Sequence, residues 1–289
     1  MIIDLSVPVK NSTSDPDSPR ITYYSHHEGG NNLINGALRM ILKSSPIRGS
    51  ILLIVHRVHE VLRSLGLRIR SPFIHSDDFP GNKGLANEDI ELDTHAGTHL
   101  DAPWHFGPRS GEKQALTIDQ VPLEWCYSDG VVLDMRHKGA AEIISKDDVV
   151  RALKDISYTL KPCDIVLVMT GMDKYIESPK YFTAHPGMSS EATEYLVDSG
   201  IKIIGIDAWG FDRPAMSMLS DFLKTRDNTH IFPAHFVGRK KEYCHIEKLT
   251  NLESIPRPFG FKVACFPVKI ERASAGWCRV VAITGEESI

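Results

Sequence analysis

No C-x-x-C pair occurs in this sequence. Its five cysteines, Cys126, Cys163, Cys244, Cys265 and Cys278, are odd in number and scattered, which argues against a disulfide framework and against a thiolate zinc site. Apolar runs reach only five residues, as at 51–55, far short of the ~20 that span a bilayer as a helix. Positive charge is not in excess: the net charge is −4, so nothing global favours nucleic acid or a membrane surface. The opening MIIDLSVPVK has no basic segment leading into a long apolar one, so a secretory leader is not expected and a cytoplasmic setting is. No G-x-S-x-G is found, which counts against a serine nucleophile elbow. Cys244 and His245 are adjacent, but neighbours in sequence seldom face each other as nucleophile and base.

What is present is ordinary globular material, 42% hydrophobic and 24% charged over 289 residues, enough to bury a real core. Residues 2–9 alternate loosely and read as a strand. Residues 10–36, with Pro16, Pro19 and the Gly29-Gly30 pair, read as loop, and His26 and His27 within it as solvated. Over 50–67, Ile51, Ile54, Val55, Val58, Val61, Leu62 and Leu65 follow helical spacing, with Arg57, Glu60 and Arg63 on the other face. An amphipathic helix packed on the body or on a partner subunit explains this pattern; a helical lid or a membrane-surface helix is the alternative.

From residue 130 strand and helix alternate. GVVLDM, DIVLVMTG and IKIIGID read as strands, and FKVACFPVKI and WCRVVAIT as two more around 261–270 and 277–284. Between them, SKDDVVRALKDI opens with Ser145 and Asp148 in capping-box spacing, and SSEATEYLVDSG has Ser189 or Ser190 as N-cap and Gly200 as stop. The expected fold class is α/β, with a mixed β-sheet or barrel-like core and flanking helices. One domain, 1–289, is expected, with a helical insertion near 37–75.

The chemistry concentrates in HAGTHLDAPWH, residues 95–105. His95, His99, Asp101 and His105 share parity and would point to one side of an extended chain. A straight strand would hold His95 and His99 about 13 Å apart, whereas ligands of one metal lie about 2.0–2.2 Å from it. The chain must therefore curl, and Gly97 permits the bend. Two imidazoles and a carboxylate suit zinc or manganese. Asp101 has a second oxygen with which to bridge two ions, and Pro103 stiffens the chain before His105, a general base near the metal. The bland alternative is a histidine-rich loop of caps and buried hydrogen bonds.

This motif, H-x-G-T-H-x-D-x-P-x-H, resembles the signature of the metal-dependent cyclase family, which includes bacterial kynurenine formamidase, isatin hydrolase and trans-dienelactone hydrolase. IIDLSVPV, GIKIIGIDAWGFDRP and the closing segment from HIEKLTNLESIP onward look like further parts of the family pattern, whereas 37–75 has no counterpart in its smaller members. The resemblance implies that His95, His99 and Asp101 bind metal and that His105 is the general acid/base. It implies a second ion bridged by Asp101 and held by His235 and Glu247, twelve residues apart; His230, His245 and Glu242 are competing donors nearby. Trp104, Asp207, Trp209 and Asp212 are expected to line the substrate pocket, although Trp209 could equally be core. HPGMS at 185–189 could offer free helix N–H groups to an anion, or be an ordinary helix start.

The expected activity is metal-dependent hydrolysis of a small cyclic or aromatic lactone or non-peptide amide. A cyclase or dehydratase acting with the same groups is the alternative. One or two Zn²⁺ or Mn²⁺ per chain, a small-molecule substrate and a homodimer or homotetramer complete the expectation.

Overall fold

Strand residues here are β-branched and apolar in short runs, which pack well on a pleated surface. In the computed structural model, which describes residues 1–11, 18–67 and 79–285, nine strands among the described residues form one mixed sheet. They are β1 (Ile2–Asp4), β2 (His99–Asp101), β3 (Tyr127–Asp134), β4 (Ile165–Met169), β5 (Ile203–Ile206), β6 (Cys244–Glu247), β7 (Phe261–Ala264), β8 (Ala275–Trp277) and β9 (Val281–Thr284). Their order is β1-β9-β7-β3-β4-β5-β6-β2-β8. The middle run β3-β4-β5-β6 is parallel, and both flanks are antiparallel. An isolated bridge joins Ser6 to Leu249, and Thr250 N–H donates to Leu5 O. The extension of β1 thus meets the extension of β6, and the sheet curls back on itself.

The parallel strands are buried on both faces, as parallel strands must be: every residue of β4 and β5 is buried. Alternate residues feed two cores. Val132, Leu167, Ile203 and Ile246 face one. Val131, Val166, Ile204 and Ile206 face the other, where α4 (Lys146–Asp155) contributes Val149 and Leu153 and α5 (Ser190–Asp198) contributes Ala192 and Leu196. Each fully buried Leu or Ile stabilises by roughly 1.5–3 kcal/mol. Both helices have the N-caps expected of them. Ser145 and Asp148 form a reciprocal capping box, and Ser189 accepts from Ala192 N–H. The HPGMS segment is therefore a self-capped helix start, with Gly187–Met188 as a short strand.

Two readings are corrected. Residues 10–36 are not all loop: Arg20–Tyr24 pairs antiparallel with Asn87–Glu91, and α1 (His26–Ser44) begins at His26 and His27, which are exposed as expected but helical. Ser25 and Glu28 make a capping box there, a signal strong enough to override the poor helix propensity of Gly29 and Gly30. The amphipathic segment is α2 (Pro46–Ser64). These elements lie in a unit spanning Arg20–Glu91, separate from the unit Met1–Pro19 plus Leu92–Ile289 that carries the sheet. Residues 68–75 of the expected insertion lie outside the described residues. The second correction concerns WCRVVAIT, which breaks into the end of β8 and β9. β8 pairs with β2, whereas β9 pairs with β1 and β7; alternation alone carries no information on a change of partner. Among the described residues, no helix is long and apolar enough to cross a membrane.

Candidate metal centre

Antiparallel pairing of β2 with β6 sets Asp101 opposite His245 and His99 opposite Glu247. Within each strand the two residues are two apart, so both side chains stand on one face. Leu100 and Ile246 take the other face and enter the core. Four metal-ligating side chains thus form a square on one patch of sheet. His99, Asp101 and His245 are fully buried, and Glu247 is nearly so.

Three more histidines close round this square. His95 arrives through a turn at Gly97, whose φ of +65° is left-handed. That bend brings the His95 and His99 ring centroids to 5.2 Å, the approach that a straight strand forbids. Thr98 Oγ1 donates to Lys248 O, and Lys248 Nζ donates to His95 O, so the turn is tied to the end of β6. His105 lies in the single-turn α3 (Pro103–Phe106), with Nδ1 3.0 Å from His95 Nε2. His235 lies in a 3-10 segment, His235–Arg239, its ring 4.5 Å from that of His245.

The hydrogen bonds assign the tautomers. His95 Nδ1 donates to Asp93 Oδ1 (2.9 Å), His99 Nδ1 to Gly97 O (2.9 Å) and His235 Nδ1 to Asp212 Oδ2 (2.5 Å). His245 Nδ1 faces Tyr243 Oη at 3.4 Å, and that hydroxyl donates to Ala234 O. In all four rings Nδ1 is held by an oxygen, which leaves Nε2 with its lone pair turned inward. This is the arrangement by which neighbouring groups orient metal-binding imidazoles.

The inward atoms converge on Asp101. Its Oδ1 lies 3.3 Å from both His95 Nε2 and His99 Nε2, and its Oδ2 lies 2.8 Å from His245 Nε2. Glu247 Oε1 lies 3.4 Å from His245 Nε2 and 3.7 Å from His235 Nε2. Yet both Asp101 oxygens, His99 Nε2 and His245 Nε2 are buried without a hydrogen bond of proper geometry. Orphaned buried polar atoms cost about 1–3 kcal/mol each, and divalent cations held among them would relieve that cost. One atom each from Asp101, His235, His245 and Glu247 lie within 4.8 Å of one another, as do those of His95, Asp101 and His105. The donor set therefore fits one or two such ions.

Electrostatics agree. Burial opposes charge on His99, Asp101, His245 and Glu247, but mutual attraction prevails. Burial would lower His245, yet the carboxylates of Asp101 and Glu247 hold it up at about 9. Asp101 is held well below the usual carboxylate range against its own burial, by His99 and His245. A field that retains protons on imidazoles will also retain a cation, with proton release. His105 goes the other way. Its edge is open to solvent, but loss of water round the ring, together with the neighbouring His235, His95 and His245, pushes it down to about 4.

The remaining expected pocket residues divide. Trp104 is exposed beside His105. Trp209 is half-buried against Phe182 and His185, with Lys248 Nζ 5.0 Å from its ring. Asp212 turns its carboxylate to His235 and to the Ala234 N–H. Asp207 commits both oxygens to the turn after β4, accepting from Thr170 N–H, Thr170 Oγ1 and Gly171 N–H. Its carboxyl is pushed up to about 7, by burial above all. Of the competing donors, His245 joins the cluster, while His230 and Glu242 do not. The signal for His245 was its i, i+2 spacing to Glu247 in an apolar run. Asp93 and Tyr243 gave no signal, because what they orient comes from distant sequence.

The model of the family described as "Putative cyclase" matches residues 3–213. The chain is 24% identical over 201 residues to isatin hydrolase of Roseibium aggregatum, covering 66% of this chain and 72% of that one. It is 27% identical over 197 residues to kynurenine formamidase of Paracidovorax citrulli, covering 68% and 78%. The structure of isatin hydrolase A from Ralstonia solanacearum superposes with a TM-score of 0.66 at 16% identity, over 99% of this chain and 92% of that one. This last likeness is one of fold.

Proposed function

From the premise that this chain belongs to the cyclase family, we propose that it hydrolyses a small cyclic or aromatic substrate at a lactone ester or non-peptide C–N bond. That it is a metal-dependent hydrolase of the family accords with relatives named isatin hydrolase and kynurenine formamidase. The observation that carries the reading is the inward convergence of three oriented Nε2 atoms, of His95, His99 and His245, on the two unpartnered oxygens of buried Asp101.

His95, His99 and Asp101 would hold one divalent ion, Zn²⁺ or Mn²⁺, and Asp101 with His235 and Glu247 a second. When bound, the metal polarises the scissile carbonyl and acidifies water. His105 holds and moves the proton. The low proton affinity of its ring keeps it neutral at pH 7, with a lone pair able to accept a proton. It would take a proton from the attacking water and return it to the departing nitrogen or oxygen. Trp104 offers a flat apolar wall for a ring-shaped substrate. Asp93 and Asp212 keep His95 and His235 in the tautomers that face inward. The reading includes a homodimer or homotetramer, supported by the solvent-facing Ile47, Ile51, Ile54, Val58, Val61 and Leu65 in and just after α2.

The test is to assay the metal-loaded chain on aryl-fused lactones, isatin and N-formylkynurenine with product mass as readout. Gain of one water that stops on chelation is expected. Turnover unaffected by chelator would overturn the proposal, and conversion without change of mass would make the enzyme a cyclase instead.

A further inference from the structure

We infer that Asp101, His235, His245 and Glu247 form the tighter divalent-cation site of this chain, with His245 as a fourth protein ligand. This rests on the metal-dependent reading above, but it concerns ligation rather than turnover.

Affinity follows from how many donors are already in place and how little must move to use them. In this set, four donor atoms lie within 4.8 Å of one another. Ligands on a tetrahedron of zinc radius stand roughly 3.3–3.6 Å apart, so closing round an ion needs only small adjustments. Two carboxylates balance the charge of a divalent ion in a buried place, where an unbalanced charge would be costly. The donors also stand on stiff elements. His245 and Glu247 belong to β6, which is paired on both sides, by β5 and β2. The His245 ring is stacked on Phe211, centroids 4.3 Å apart and planes 14° from parallel, and Phe106 lies 5.0 Å away on a tilted plane. Tyr243 Oη faces its Nδ1. Such a ring cannot swing away, so its Nε2 remains beside Asp101 Oδ2.

The other set is less prepared. His95 comes from a turn and its side chain is partly exposed. Its Nε2 also faces His105 Nδ1 at 3.0 Å, a contact that ligation by His95 would have to replace. Asp101 would be the single carboxylate of that site. The competing role for His245 is a protonated counter-ion to Asp101 that never touches a metal.

Zn²⁺ titration into the chelator-stripped full chain, read by calorimetry and by competition with a chromophoric chelator, separates these cases. Circular dichroism checks that each variant is folded. His245→Ala is expected to weaken the tight equivalent by at least about 100-fold, beyond what loss of a merely orienting neighbour does. His95→Ala is expected to leave that equivalent within about threefold. An unchanged tight equivalent in His245→Ala, or its loss in His95→Ala, would overturn the inference. Should His245→Ala not fold, long-range ¹H–¹⁵N spectra of the wild-type chain at one equivalent of Zn²⁺ decide. Metal-bound shifts at His235 and His245 Nε2 are expected, and such shifts at His95 and His99 instead would refute it. Because binding is measured without substrate, the affinity order can fail while chelator-sensitive hydrolysis stands, and the reverse.

Discussion

His105 and the donors beside it differ in what holds them. His99 and His245 are enclosed and each faces a carboxylate, whereas His105 has an open edge and neighbours that repel its charge. His105→Ala should therefore leave metal content and fold unchanged while kcat falls about 10²–10⁴-fold; metal analysis beside steady-state kinetics checks this, and near-normal kcat would remove the assigned role. Asp212→Asn acts one step away. The amide has one acceptor oxygen, so it cannot serve both the Ala234 N–H and the His235 N–H and Nδ1–H as the carboxylate does, and metal affinity should drop by about 10–100-fold, seen as faster loss of metal to a competing chelator. At this scale the motif residues His95, His99, Asp101 and His105 were visible in sequence because they are local. Asp93, Tyr243 and the part of Asp212 that grips His235 were not, since an orienting hydrogen bond leaves no periodic mark.

Elements make the site by register. One residue of slip between β2 and β6 would turn the two donors of the slipped strand to the opposite face, so the features that pin the ends of these strands matter. Gly97 is one such feature. In Gly97→Ala a Cβ would sit 3.3 Å from Val9 Cγ2 at a φ of +65°, and the left-handed backbone alone costs about 1–2 kcal/mol. A lowered Tm together with reduced metal occupancy is expected, and a variant that lost stability but kept full occupancy would show the turn to be unimportant to ligation. Away from the site, α4 offers a pH prediction. Burial would raise Asp148, but the Ser145 N–H, Lys138 and the Ser145 hydroxyl outweigh it and hold the carboxyl well below the usual range. A folded pKa below the unfolded one stabilises above about pH 4, and that stability is lost as pH falls through the lower value. Asp148→Asn should thus cost about 1 kcal/mol at pH 7 and progressively less towards pH 2, measured by urea melts across that range. The cap was legible as S-x-x-D. The change of partner between β8 and β9 was not, because pairing is a property of two segments and the pattern belongs to one.

For the whole molecule, metal and fold should be linked. Several orphaned polar atoms lie at the junction of β2 and β6, so an ion bound there stabilises the native sheet over the unfolded chain, by about 2.7 kcal/mol at a free concentration one hundred times Kd. Chelation should lower Tm and abolish turnover, with both restored by Zn²⁺ or Mn²⁺; a Tm indifferent to chelator would place the ion outside the sheet junction.

The class of fold, the central strands, the capped helices α4 and α5 and the bent histidine motif can be read from the chain alone. Each is a matter of neighbours: apolar alternation, a cap within three residues, a glycine that can take positive φ. Only the tertiary structure decided that residue 245, and not 230 or 242, stands opposite Asp101. It also decided that Asp207 serves a turn and that Asp212 orients His235. These depend on antiparallel register between β2 and β6, whose residues lie more than 140 positions apart. Such pairing is selected by burial of the whole sheet rather than by any short stretch of chain.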